Sequence, residues 1–136
     1  MTRDPHPSAR LRALLAAPLA LTALAGAAAR ADAPMGDPKR GEKVFATECA
    51  ECHSVKEGKN KKGPSLFDVV GRPAASLADY DYSNAIKNSE IVWDEPTLTE
   101  YIAHPKVRVP GGKMRYDGLT NRQMVADLLA FLSLQK

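Results

Sequence analysis

The stretch Cys49-Ala50-Glu51-Cys52-His53 holds both cysteines of the chain and one of its three histidines. Residues three apart lie on the same face of a helical turn, so both sulfurs can reach one porphyrin and form thioethers with its two vinyl groups. The histidine that follows directly can then act as an axial ligand of the haem iron. The pentapeptide therefore predicts a covalent c-type haem attachment site.

Two other uses of a Cys-x-x-Cys pair fit this chain less well. A redox dithiol is expected within a βαβ pattern, and no strand-like alternation surrounds this pair. Half of a structural zinc site would need a second pair of ligands, and the sequence has no such cluster. A haem-free dithiol protein is kept as the alternative to haem attachment.

The first 31 residues have the layout of a signal peptide. They begin with three arginines, continue with a Leu- and Ala-rich run over residues 11–29, and end in the small-x-small pattern Ala29-Arg30-Ala31. An arginine and a proline interrupt the run, which leaves less than the roughly 20 apolar residues that a membrane span needs. We therefore predict a cleaved signal peptide over 1–31, a haem domain over 32–136 and a periplasmic protein. The alternative is a protein tethered to the membrane by an uncleaved leader.

The basic character of the whole sequence comes mostly from this leader. The chain has 19 basic and 16 acidic residues, and four of the arginines and one aspartate lie in residues 1–31. The remainder has 15 of each sign, so its formal net charge is zero. This balance gives no support to nucleic-acid binding, and any partnership driven by charge must come from local asymmetry.

Helix signals dominate the rest of the chain and predict an all-α domain. The patterns favour a helix from Asp37-Pro38 to Cys49, a short helix near 83–88, a helix from Asp94 through Ala103 and an amphipathic helix after a capping box at Thr120–Gln123. Residues 106–119 have Pro and Gly breaks and no periodicity, which predicts a long loop.

The second axial ligand of the iron must come from another part of the chain. Met35 lies near the new N-terminus, and Met124 belongs to the apolar face of the last helix, where methionine is more often core filling. His104 directly precedes a proline at a helix end and is better explained as a surface residue. Met114 follows a Pro-Gly-Gly-Lys segment that can cross a haem face, so Met114 is the predicted ligand.

With these residues identified, the chain resembles the class I cytochromes c, of the mitochondrial cytochrome c and bacterial cytochrome c2 type. The resemblance covers nearly all of residues 37–136. It rests on Gly41, Phe45, Cys49-x-x-Cys52-His53, Gly63-Pro64-x-Leu66, Gly71-Arg72, Tyr82, Trp93, Tyr101, Pro105, Pro110-Gly111-x-Lys113-Met114, Leu128 and Phe131. It implies the class I cytochrome c fold, with three main helices plus short helices and loops wrapped around one covalent haem.

The resemblance also implies roles around the haem. The Pro64 carbonyl would accept a hydrogen bond from His53 Nδ1, and Tyr101 would hydrogen-bond near the sulfur of Met114. A buried haem propionate would be held by three further side chains, those of Arg72, Tyr82 and Trp93. Gly41 would allow the first and last helices to approach closely, with Phe45 packed against Leu128 and Phe131. Tyr116 stands where the mitochondrial pattern has a phenylalanine at the haem edge.

Filled axial positions leave no open site on the iron for O₂ or peroxide, so the predicted function is one-electron transfer and not catalysis. Two basic groups form the predicted docking surface, Lys106, Arg108, Lys113 and Arg115 around Met114, and Lys59, Lys61 and Lys62 after His53. They would steer a monomeric carrier to membrane redox complexes with acidic surfaces. By resemblance, these are a quinol:cytochrome c oxidoreductase as donor and a terminal oxidase or photosynthetic reaction centre as acceptor. A haem enzyme or sensor, in which Met114 leaves the iron, is the alternative.

Overall fold

The computed structural model of the protein describes residues 34–136. The signal peptide predicted for residues 1–31 lies outside this range. Within residues 34–136 five helices follow one another: α1 (Pro38–Val44, extended by a π-helical turn over Phe45–Cys49), α2 (Asn84–Lys87), α3 (Glu95–Ala103), α4 (Pro105–Arg108) and α5 (Arg122–Leu132). The only β-type pairing in this part of the chain is an isolated bridge between Pro73 and Val92. The prediction of an all-α domain is confirmed for these residues.

Side-chain caps start the helices where the sequence indicates. Asp37 accepts hydrogen bonds from the N–H groups of Lys39 and Arg40 at 2.8 and 3.1 Å and so caps α1. Asp94 accepts from Thr97 N at 2.8 Å and starts α3. Both α1 and α3 have a proline in their first turn, where the missing N–H costs no hydrogen bond.

Two details of the predicted secondary structure are wrong. Asn121, not Thr120, caps α5 by accepting from Met124 N, while the Gln123 amide donates to Met35 O and to the Asp127 carboxylate instead of closing a capping box. The loop expected over 106–119 begins with helix α4, which Pro105 starts. A helix of four residues is too short to leave a periodic pattern in the sequence.

The core forms where α5 packs on α1. Val125, Leu128, Leu129 and Leu132 are buried on one face of α5, at the i, i+3, i+4, i+7 spacing of an amphipathic helix. A Cβ on Gly41 would lie 1.9 Å from Asp127 O, so the predicted close approach of the first and last helices is confirmed. The rings of Phe45 and Phe131 pack with their centroids 5.5 Å apart, as the resemblance implied.

No helix in residues 34–136 has the length and apolar character needed to cross a bilayer.

Candidate haem site

The two cysteines lie at the end of a widened helical turn. Ala50 N donates to Phe45 O five residues earlier, and then Cys52 N and His53 N both donate to Cys49 O at 3.0 and 2.9 Å. Such π-type turns occur often at functional sites. Both thiols are free and half-buried. Burial, more than the nearby charges, raises the pKa of Cys49 to about 12, so this sulfur is an uncharged thiol at neutral pH.

The imidazole of His53 is fixed in place from two sides. Its Nδ1 lies 2.8 Å from Pro64 O. Because a carbonyl oxygen can only accept, Nδ1 carries the hydrogen, and Nε2 keeps its lone pair in the neutral ring. A Cβ on Gly63 would lie 2.4 Å from His53 Cε1, so a side chain at position 63 would displace the ring. Burial lowers the pKa of His53, which favours the neutral form that a metal requires.

Arg72 is a half-buried cation with one buried nitrogen left without a partner. Nη1 donates to Phe67 O at 2.5 Å and Nη2 to Ser65 O at 2.9 Å, while the buried Nε finds no partner among residues 34–136. Burial lowers the pKa of Arg72, and Tyr82 and Asp68 are close enough to offset part of that effect, but no carboxylate of residues 34–136 forms an ion pair with it. A half-buried guanidinium whose buried Nε is still free to donate is suited to an anion such as a haem propionate.

Three aromatic residues predicted near the haem, Tyr82, Trp93 and Tyr101, belong to two aromatic pairs. The Trp93 and Tyr101 rings pack with centroids 4.8 Å apart at 44°, and Tyr80 and Tyr82 meet edge to face at 4.8 Å and 70°. Burial raises the pKa of both Tyr82 and Tyr101, so their hydroxyls stay protonated and can donate hydrogen bonds. No hydrogen bond from the Tyr101 hydroxyl is found within residues 34–136, and its predicted contact with Met114 stays a prediction.

Met114 is half-buried in the loop between α4 and α5. It borders a cavity of about 710 Å³, together with the loop residues on either side and Lys106 of α4. His53 borders a different cavity of about 240 Å³, with Phe45, Ala50 and Val55 among its walls. Each predicted axial residue is therefore next to open space, Met114 at the larger of these two cavities and His53 at the smaller.

The loop that contains Met114 is tied to distant parts of the fold. Lys113 Nζ lies 2.5 Å from the Asp81 carboxylate and also donates to Asp81 O at 3.0 Å. The Tyr116 hydroxyl donates to Glu48 Oε2 at 2.7 Å. Burial, and then this hydrogen bond, raises the pKa of Tyr116 well above its usual range, so the hydroxyl remains a donor at all relevant pH values.

Carboxylates neutralise much of the predicted docking surface. Lys106 pairs with Asp117 at 2.6 Å, Arg108 with Glu100 at 3.2 Å, Lys113 with Asp81, and Lys62 with Glu51 at 2.5 Å. Lys61 donates to Ala50 O. Within residues 34–136, the other two predicted docking cations, Arg115 and Lys59, pair with no carboxylate. Sequence inspection missed these counter-ions because no local pattern links them to the basic residues.

These residues fit a c-type haem. The thiols of Cys49 and Cys52 would each add to one vinyl group of the porphyrin, the neutral His53 would offer Nε2 to the iron, and Arg72 would pair with an anion. In residues 34–136 no cluster of three or more His, Cys, Asp or Glu side chains forms a separate metal site. The arrangement is that of a protein that encloses a covalently attached cofactor.

Known proteins match about three quarters of this chain. The sequence profile of the family described as Cytochrome c matches residues 38–135. The cytochrome c of Ginkgo biloba is 45% identical over 102 residues, which is 74% of this chain and 90% of that protein. That of Chlamydomonas reinhardtii is 46% identical over 103 residues, covering 75% of this chain and 92% of that protein.

A solved structure shows the same fold. Cytochrome cH from Methylobacterium extorquens superposes with a TM-score of 0.67 at 42% identity, over 72% of this chain and 98% of that chain. The predicted class I cytochrome c fold is therefore confirmed. The chain belongs to the cytochrome c family, whose members carry one covalently bound haem c and transfer electrons without being enzymes.

Proposed function

We propose that this chain shuttles single electrons with a haem c bound by Cys49 and Cys52 and ligated by His53 and Met114. When bound, the haem supplies a one-electron couple between Fe(II) and Fe(III). The thioether of a methionine ligand favours the reduced iron and raises the reduction potential. The fixed ring of His53, with Nδ1 at 2.8 Å from Pro64 O, is the observation that carries this proposal.

The other site residues would hold the cofactor's charged edge and keep water away. Arg72 would neutralise a propionate through its free Nε, with Tyr82 and Trp93 as further donors. The Tyr101 ring packs on Trp93, and the Tyr101 hydroxyl would donate a hydrogen bond near the sulfur of Met114. Such preorganised groups change little between oxidation states, which keeps electron transfer fast.

The proposed partners are membrane redox complexes with acidic docking surfaces. A quinol:cytochrome c oxidoreductase would be the donor, and a terminal oxidase or photosynthetic reaction centre the acceptor. Arg115 and Lys59 support this choice, because their charges are not neutralised by a carboxylate within residues 34–136. The carrier would act as a monomer in the periplasm after removal of residues 1–31, or on the membrane if the leader is retained.

Expression of the full sequence in a bacterium that attaches haem c would test this function. We expect a periplasmic protein that begins at Asp32, shows a low-spin His/Met spectrum and titrates as a single one-electron couple. The reduced protein should bind no CO at neutral pH, because both axial positions are filled. Rapid CO binding would contradict the carrier and favour a haem enzyme or sensor. A pigment-free preparation with dithiol activity would contradict haem attachment.

A further inference from the structure

The hydrogen bond between Tyr116 and Glu48 joins residues 68 positions apart in the sequence. Glu48 directly precedes Cys49 in the π-helical turn, and Tyr116 lies two residues after Met114. The contact therefore connects the loop that holds the proposed distal ligand to the turn that attaches the haem. None of the roles assigned above uses it.

The backbone of this loop is held weakly. Gly112 N donates to Val109 O at 3.1 Å and Leu119 N to Ile102 O at 2.9 Å, and these two bonds fix its ends. Between them, residues 113–118 form no backbone–backbone hydrogen bond within the part of the chain that the structure describes. Side-chain contacts must therefore keep the loop closed.

Three polar side-chain contacts can do this in the part of the chain that the structure describes, and they are unequal. Two are ion pairs between exposed groups, Lys113 with Asp81 and Lys106 with Asp117, in which the carboxylates are 82% and 97% exposed. Exposed pairs of long side chains contribute little to stability. Tyr116 differs in being half-buried with a stiff ring, so its hydroxyl gives up less side-chain freedom than a lysine does when it donates to the exposed Glu48 carboxylate at 2.7 Å.

We propose that the Tyr116–Glu48 hydrogen bond is a latch that keeps the Met114 loop closed. Tyr116 is then a positioning residue that limits how often Met114 leaves the iron. This inference rests on the proposed function, in which Met114 is the axial ligand. The turn that carries the cysteines and the Met114 loop would then separate only when this hydrogen bond breaks. External ligands would reach the iron no faster than the bond opens.

The test uses the oxidised holoprotein and its Tyr116→Phe variant, with imidazole as the probe. At saturating imidazole the binding rate equals the rate of loop opening, and we expect the variant to react about five- to tenfold faster. Hydrogen exchange at the amides of residues 113–118 should accelerate by a similar factor, while the amides of α5 stay unchanged. Tyr80→Phe, which removes a hydroxyl bonded to Lys62 O, is the matched control and should change neither rate.

Glu48→Ala supplies an independent check. It should open the loop as much as Tyr116→Phe does, and the double variant should be no faster than either single variant, because all three lose the same bond. Additive effects, or an unchanged opening rate and unchanged exchange in Tyr116→Phe, would overturn the latch. Failure of the proposed ligand is seen separately, as the absence of the sulfur-to-iron near-infrared band in the unsubstituted protein. The exchange measurement still decides the latch in that case.

Discussion

Arg40 and Asp127 form a bidentate ion pair across the contact between α1 and α5. Arg40 Nε lies 2.7 Å from Asp127 Oδ2, and Nη2 lies 2.8 Å from Oδ1. The Asp127 side chain is only 4% exposed, and its Oδ1 also accepts from Asp37 N at 2.8 Å and from the Gln123 amide at 2.9 Å. A buried carboxylate thus holds together the start of the first helix and the last helix.

Arg40→Ala should destabilise the protein, because it leaves the Asp127 carboxylate buried without its cation. We expect the melting temperature of the holoprotein to fall by roughly 5–10 °C. Arg122→Ala, which removes an exposed cation from the start of α5, is the matched control and should have little effect. Equal melting temperatures for the Arg40 variant and the unsubstituted protein would show that the pair is dispensable.

The Arg40–Asp127 ion pair should make the free energy of unfolding depend on pH. The hydrogen bond from Arg40 is the main reason that the pKa of Asp127 lies well below its usual range, although burial opposes it. Because the folded-state pKa is the lower one, this contribution is complete above the unfolded pKa of about 3.9 and is lost as the pH falls towards the folded value. Urea unfolding at pH 3–6 should therefore show a gap between the natural protein and Asp127→Asn that shrinks below about pH 4. A constant gap would refute this linkage.

Met114→Ala should leave one axial coordination position of the iron open if Met114 is the axial ligand. The oxidised variant should lose the weak near-infrared band of the sulfur–iron bond, and the reduced variant should bind CO rapidly. Met124→Ala is the control, because Met124 is half-buried on α5 and should affect packing only. Absorption spectra of both variants decide the assignment, and a Met114 variant that keeps the band would reject it.

Arg72→Met should make the reduction potential depend on pH. Without the guanidinium, a buried propionate is no longer held in its charged form, and its pKa rises into the working range. The potential should then fall with increasing pH, by at most about 59 mV per pH unit. Potentiometric titration from pH 5 to 9 measures this slope. Arg108→Met, which removes a cation already paired with Glu100, serves as the comparison, and identical slopes would argue against a propionate at Arg72.

The rate of electron transfer should depend most on those docking cations that pair with no carboxylate within residues 34–136. Arg115→Glu should slow electron transfer to an acidic redox partner by about three- to tenfold at low salt, because steering depends on charge that is not already neutralised. Lys113→Glu should also slow the reaction, but partly by repelling Asp81 and disturbing the loop. Stopped-flow rates over a range of ionic strengths measure both effects. A rate for Arg115→Glu that is unchanged at low salt would exclude this face.

Conversely, removal of a counter-ion should strengthen docking. Asp117→Asn frees Lys106 from its pair at 2.6 Å and adds one net positive charge next to Arg115. The association rate at low salt should rise, and its dependence on salt should steepen. This variant distinguishes a docking role of the surface from general damage to the loop, since damage would lower the rate.

The sequence by itself determined the features that depend on neighbouring residues. The pentapeptide at Cys49–His53 predicts haem attachment, Asp37 and Asp94 predict their helix starts, and the apolar spacing after Asn121 predicts that α5 is an amphipathic helix. Each is a local rule, in which a cap or a turn is formed by residues within four positions. The capping-box error also follows from this limit, because the Gln123 amide donates to Met35 O, 88 positions earlier, instead of to its own helix start.

Only the tertiary structure decided which charged and polar side chains meet. Arg40 reaches Asp127 across 87 positions, Tyr116 reaches Glu48 across 68 and Lys113 reaches Asp81 across 32. Glu48 and Asp81 have no local pattern in the sequence that marks them as partners of the Met114 loop. Such pairs depend on how α1, α5 and the loops pack around the haem site, which is a global property of the chain. The pentapeptide therefore identifies the cofactor, while long-range packing sets how firmly the Met114 loop is held and how much charge the docking surface presents.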